Sequence, residues 1–167
     1  MFEAKFGWTK DETIIYNTIL SSSAIVGLAI GSFLGGPLIQ IGRRKSAIIA
    51  NIIGIMSSLI SMTGTTTFLT IGRLSLGVAA GIYNVIFGKV ILENMPERLA
   101  QKLALSHNGS ICTGFVFAFG LGSILPDCED FEASKADELW RVIYLMPAFI
   151  GVIGILLIGL IFKYEPI

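Results

Sequence analysis

A chain of 167 residues that is 53% hydrophobic and only 14% charged carries too little charge for a soluble domain, where about a quarter of residues are ionised. Twelve basic residues balance twelve acidic ones, so there is no net positive field to hold nucleic acid. A mean hydropathy of +0.77 points to the bilayer as the solvent.

The chain opens on a polar segment of mixed charge, "EAKFGWTKDET" (3–13), and then carries no Asp, Glu, Lys or Arg from Thr13 to Gly42. This run lacks the basic leader of a signal peptide and is long enough to cross a membrane. Further charge-free runs extend from Ser46 to Gly72, Leu74 to Gly88, Leu103 to Pro126 and Val142 to Phe162. A crossing helix needs about 20 mostly apolar residues. The runs predict five spans, at about 14–38, 46–65, 68–92, 103–125 and 142–162. The third of these holds only if Lys89 snorkels to the interface. The predicted class is an all-α polytopic membrane protein, because the runs are too continuous for barrel strands, which alternate over about ten residues.

Loop charges set the orientation. The first loop carries Arg43, Arg44 and Lys45 without an acid, and the third, "ENMPERLAQK", carries Arg98 and Lys102. The fourth, "PDCEDFEASKADELWR", is acidic. Lys and Arg hold short loops in the cytoplasm. Residues 1–13 and the acidic loop are therefore predicted outside or in a lumen, and the tail 163–167 in the cytosol. The lipid bilayer is one partner, and the plasma membrane or an organelle membrane is the expected location.

The basic loop also has a local pattern. Gly35 and Gly36 are read as ending one helix, Gly42 as the turn, with Arg43 and Arg44 following at once. Glycine allows close approach, and arginine forks bond carbonyls and carboxylates of neighbouring helices. Small-residue steps Gly27/Gly31/Gly35 and Gly77/Gly81 suit close crossings, whether static or sliding. Cys112 and Cys128 fall at different depths, so no disulfide is expected. No metal-ligand cluster, phosphate loop or nucleophile–base pair is present, so neither a cofactor nor enzyme chemistry is expected.

These motifs together resemble the major facilitator superfamily, most of all its sugar-porter branch. That family has a G-x-x-x-D-R-x-G-R-R loop between its second and third helices. Gly35, Gly42, Arg43 and Arg44 match it, while Ile39 and Gln40 stand where the family has Asp and Arg. Alternatively "GPLI" aligns and the Asp is deleted; either way the gate carboxylate is missing. "GRLSLGVAAG" (72–81) resembles the start of the fourth helix, with Gly72-Arg73, Gly77 and Gly81 in place. Glu93, Pro96 and Gly114 match the next loop and the fifth helix, with Ala100 at the family's Arg. Trp140-Arg141 and Glu165-Pro166 resemble the opening and the end of the sixth. The resemblance implies helices two to six of a six-helix N-terminal half.

It also implies working residues. Asn108 falls where the family's fifth helix has a solute-binding Gln, and its amide suits a hydroxyl-rich ligand. Ile111 and Phe115 continue that face; helix packing is the competing role for all three. His107, the single histidine, points about 100° away from Asn108 around the helix and is read as structural or interfacial. Gly42, Arg43, Arg44 and Glu93 are implied in a cytoplasmic gate, with topology as the minimum role and Lys89–Glu93 as a competing pair. Arg73 either faces a cavity or snorkels to the interface. The implied function is transport of a small polar solute, a sugar, by alternating access as symporter or uniporter. The partners are then the solute and the missing helices, in a longer chain or another subunit. Two alternatives stand beside it: a non-transporting structural or regulatory subunit or truncated product, and an organic-ion branch of the same superfamily.

Overall fold

The first helix begins at a reciprocal cap. Glu12 N–H points at Thr9 Oγ1 at 3.5 Å, and Thr9 N–H donates to Glu12 Oε2 at 2.9 Å, which satisfies donors that the first turn leaves open. In the computed structural model, which describes residues 9–123 and 139–161, every element is a helix. They are α1 (Lys10–Ile39), α2 (Arg43–Ser61), α3 (Thr66–Asn94), α4 (Glu97–Gly122) and α5 (Leu139–Ile161). The N-terminal residues 1–8, most of the acidic loop with Cys128, and the tail with Glu165-Pro166 lie outside the described residues.

Local chemistry sets the breaks, and two differ from expectation. Helix α1 does not end at Gly35-Gly36 but continues through both and through Pro37 to Ile39. It then tightens: Gln40, Ile41 and Gly42 N–H donate to the Pro37, Leu38 and Ile39 carbonyls at 3.1, 3.1 and 3.0 Å, each a three-residue step rather than four. Gly42, at φ 126° and ψ 134°, makes the corner, a conformation open to glycine alone at low cost. Helix α2 stops at Ser61, short of the expected residue 65. Gly64 turns there at φ 75°, among β-branched threonines that favour helix interiors least. Helix α4 starts after Pro96, whose extended backbone (φ −60°, ψ 148°) supplies the entry.

The chain divides into two compact units, Ile15–Phe87 with Tyr144–Ile167, and Met1–Ile14 with Gly88–Ile143. In the first, backbones meet through small residues. A Cβ on Gly27 or Gly31 would strike the carbonyl oxygens of Leu74 or Val78, and one on Gly77 or Gly81 those of Ala24 or Leu28. Contacts that rise together in number make α1 and α3 parallel, and the two glycine stripes expected to cross closely do so against one another. Helix α2 runs antiparallel to α3, with Ser57 and Ser61 against Gly72 and the Ala47 carbonyl accepting from Tyr83 Oη at 3.3 Å. It is also antiparallel to α5, with Ile55 against Gly151 and Asn51 against Gly154.

The buried faces of these helices are rich in small residues, with Leu69 and Ile82 the largest side chains fully buried among the described residues. Ser46, Ala50, Asn51, Ser57, Ser58 and Ser61 are buried, whereas Phe33, Leu92, Phe119 and Leu160 are each more than 70% exposed. Without a hydrophobic drive between helices, lipid-embedded bundles associate by close backbone packing, which selects small residues at contacts. Three stretches, Asp11–Ile39, Thr66–Glu93 and Arg141–Leu160, are long and apolar enough to cross a membrane. Helix α2 begins with three cations and carries four serines, and α4 carries Glu97, Arg98, Lys102 and the polar run Ser106–Ser110. Those residues keep both from the same standard.

Candidate functional site

In the larger unit, Arg73 of α3 and Tyr144 of α5 form a side-chain contact between helices. Gly72 puts the first turns of α3 directly on α2, since a side chain there would collide with Ser61 Oγ and approach the Ser57 carbonyl oxygen to 2.9 Å. Arg73, the next residue, is half-buried and turns toward α5. Its Nε and Nη2 both donate to Tyr144 Oη, at 3.2 and 2.8 Å. The guanidinium carbon lies 5.4 Å from the ring centroid, within cation–π range. A guanidinium only donates, so the phenol oxygen is a fitting acceptor.

Arg73 thus has a protein partner 71 residues away in the chain. Tyr144 is not among the residues the sequence singles out. One signal was available: Tyr144 is the only polar side chain in the run from Val142 to Phe162.

The basic turn is built on hydrogen bonds from Ser46. This fully buried hydroxyl donates toward the Leu38 carbonyl at the end of α1 and toward the Gly42 carbonyl at 2.8 Å. It thereby ties the carbonyl end of α1 to the entry of α2, adding to the backbone bonds that these carbonyls accept from Ile41 and Ser46 N–H. Arg43 and Arg44 stand half-buried at that entry and Lys45 is exposed. Glu93 is exposed near the end of α3 and belongs to the other unit.

In the smaller unit, α4 holds Asn108, Ile111 and Phe115. All three are exposed, and so are their neighbours from Gly109 to Gly120. His107 is half-buried. Ser110 and Thr113 return their hydroxyls to the Ser106 and Gly109 carbonyls at 2.9 Å, so they present no free donor along the helix. Cys112 is a free, exposed thiol. Among the described residues no group of His, Cys, Asp and Glu could hold a metal ion. Ala100, at the position of the family's arginine, is buried.

Comparison with known proteins agrees with this geometry of glycine-packed apolar helices. The family described as "Sugar (and other) transporter" matches residues 2–163. Similar proteins include a Hexose transporter 1 of Toxoplasma gondii, 28% identical over 96% of this chain and 31% of its own length. A Hexose transporter 1 of Plasmodium falciparum is 32% identical over 96% of this chain and 35% of its own. A Glucose transporter 2C of Trypanosoma brucei brucei is 28% identical over 71% of this chain and 36% of its own. The chain spans about a third of the length of these relatives. Its matched residues take in the basic turn, Arg73, the α4 polar run and Tyr144 alike, and the chain belongs to the sugar transporter family of the major facilitator superfamily.

Proposed function

We propose that this chain forms part of the wall of a sugar pathway, within a larger transporter that works by alternating access. The observation that carries the reading is family membership across residues 2–163, nearly the whole chain. The hexose and glucose transporters among its relatives give the solute class. All five helices cross the membrane in this reading, α2 and α4 with their polar residues turned to protein or to the pathway. The chain is a transporter component rather than an enzyme, and the plasma membrane is its proposed site.

Asn108 is the proposed solute contact, with Ile111 and Phe115 continuing its face at i+3 and i+7. An exposed amide on a helix is a donor and acceptor suited to sugar hydroxyls. Gly42, Arg43, Arg44 and Glu93 are proposed for the cytoplasmic gate, and Arg73 with Tyr144 for the opposite mouth. Ile39, Gln40 and Ala100 replace charged residues of the family's loops, which favours a second reading, a member that assembles with transport helices without gating them. The missing helices would come from a longer chain or a partner.

Uptake of labelled hexose by cells lacking their own hexose uptake, expressing the native product that contains these helices, tests the first reading. Saturable uptake that falls with Asn108→Ala supports it. A surface-expressed product with no uptake of any hexose sinks it in favour of the second.

A further inference from the structure

Helix α2 carries a stripe of small buried residues running from Ser46 and Ala47 through Gly54 to Ser61. Its later hydroxyls bond within the helix. Ser57 and Ser58 donate to the Gly54 carbonyl at 2.9 and 3.1 Å, and Ser61 donates to the Ser57 carbonyl at 2.9 Å. Such bonds travel with α2 and are indifferent to the position of any neighbour.

Asn51 differs from these serines. It is 6% exposed, and its Nδ2 is buried without an acceptor. Both ends of the amide face α5 at Gly154, where a Cβ would stand 3.0 Å from Oδ1 and 3.2 Å from Nδ2. Turning the amide over leaves that relationship intact. Three residues earlier in α5, a Cβ on Gly151 would lie 2.9 Å from Ile55 Cγ1 and 3.6 Å from the Asn51 carbonyl oxygen. Helix α5 therefore lays bare backbone along α2, with no side chain at Gly151 or Gly154 to key the two together. Helical carbonyls retain a second lone pair that can accept from such an amide. An unpaired amide is penalised in an apolar interior, so any register that pairs it gains population.

We propose that Asn51 and Gly154 make the α2–α5 contact a two-register joint. In one register, that of this structure, Nδ2 is unpaired. In the other, α5 has slid along α2 until an α5 backbone carbonyl accepts from Nδ2. The joint concerns this helix pair alone and holds whether or not the chain carries a sugar.

The test is disulfide formation in membranes by the full chain bearing Ile55→Cys and Gly151→Cys, with Cys112→Ser and Cys128→Ser. Those two positions meet in the register of this structure and are drawn apart as α5 slides. Asn51→Ala removes the group that rewards the other register. Asn51→Ser does the same, because a serine here bonds to its own helix as Ser57 and Ser58 do. With the paired register holding most of the population, both variants are expected to cross-link about three- to tenfold faster than the chain retaining Asn51, the range of interhelical hydrogen bonds in lipid. Equal rates overturn the proposal, and so does acceleration by Asn51→Ala but not Asn51→Ser. A second pair, Gly35→Cys with Val85→Cys, reports the α1–α3 contact and is expected to keep its rate. Acceleration at both pairs means general loosening and also overturns the joint.

Discussion

Gly31 of α1 rests on the backbone of Val78 in α3, whose carbonyl oxygen occupies the space that a side chain would need. Gly77 stands in the same relation to Ala24. Neither obstacle can swing away, since both belong to helix backbones. Gly31→Leu and Gly77→Leu are expected to force α1 and α3 apart, at about 1–3 kcal/mol or more each. Thermal unfolding in detergent checks this. Gly88→Leu is the control, because a Cβ there meets nothing within 4 Å, and it should leave the midpoint nearly unchanged.

The Arg73–Tyr144 pair gives a prediction with a graded outcome. Tyr144→Phe keeps the ring and the cation–π contact but removes the acceptor of both guanidinium bonds. A hydrogen bond to a charged group contributes about 1.5–3 kcal/mol, and losses of that order are expected from the phenylalanine variant. Tyr144→Leu should lose more, because it also removes the ring. Equal stability of the phenylalanine variant and the parent would show that the bond contributes nothing.

Ser46→Ala should loosen the basic turn. Its hydroxyl is buried and shares its one proton between the Leu38 carbonyl of α1 and the Gly42 carbonyl of the corner, both of which keep a backbone donor, so a loss of about 1 kcal/mol is expected. Gly42→Ala should act at the same place for another reason, by straining φ 126°. Limited proteolysis after Arg43 and Arg44 reads the loosening directly: cleavage should speed up in both variants.

Asn51→Ala is expected to be neutral or slightly stabilising, against the usual direction for a buried residue. In the register of this structure its Nδ2 makes no bond, and deleting the amide there relieves a desolvation cost of about 1–3 kcal/mol, which offsets the bond lost from the other register. The cavity left against Gly154 is small. A strongly lowered unfolding midpoint would show that the amide is bonded in this register as well.

The proposed solute recognition by α4 is testable apart from stability. Asn108 is exposed and makes no stabilising contact with another helix here, so Asn108→Ala should leave the melting point alone. In uptake by the native product, loss of one hydrogen-bonding amide should raise KM by about ten- to hundredfold. Asn108→Gln should retain more affinity than Asn108→Ala.

The helices were legible because charge-free runs and helix length are properties of contiguous sequence. The same holds for the glycine steps at 27/31 and 77/81, whose four-residue spacing marks one helix face. What joins distant segments was not legible in this way. Arg73 has several possible partners in one dimension and finds Tyr144 only when α3 and α5 run side by side. Gly35-Gly36 read as a stop because glycine weakens helices in water. Gly35 is instead a contact, a Cβ there falling 2.9 Å from Val85 Cβ, while Gly36 faces open space. Nothing in the serine-rich sequence around Asn51 tells that its amide faces Gly154 of α5. Asn108 was chosen by resemblance, and its exposed place on α4 adds no partner that would test the choice.

The self-bonded serines of α2 bear on how the chain is made. Nascent helices leave the translocation channel one at a time, and a polar helix that depends on its neighbours must wait for them. Ser57, Ser58 and Ser61 have already placed their protons on carbonyls of their own helix, so α2 meets lipid with those hydroxyls masked. Holding α2 in lipid before α3 has been synthesised then costs less, and Asn51 remains a polar group that its own helix leaves unpaired.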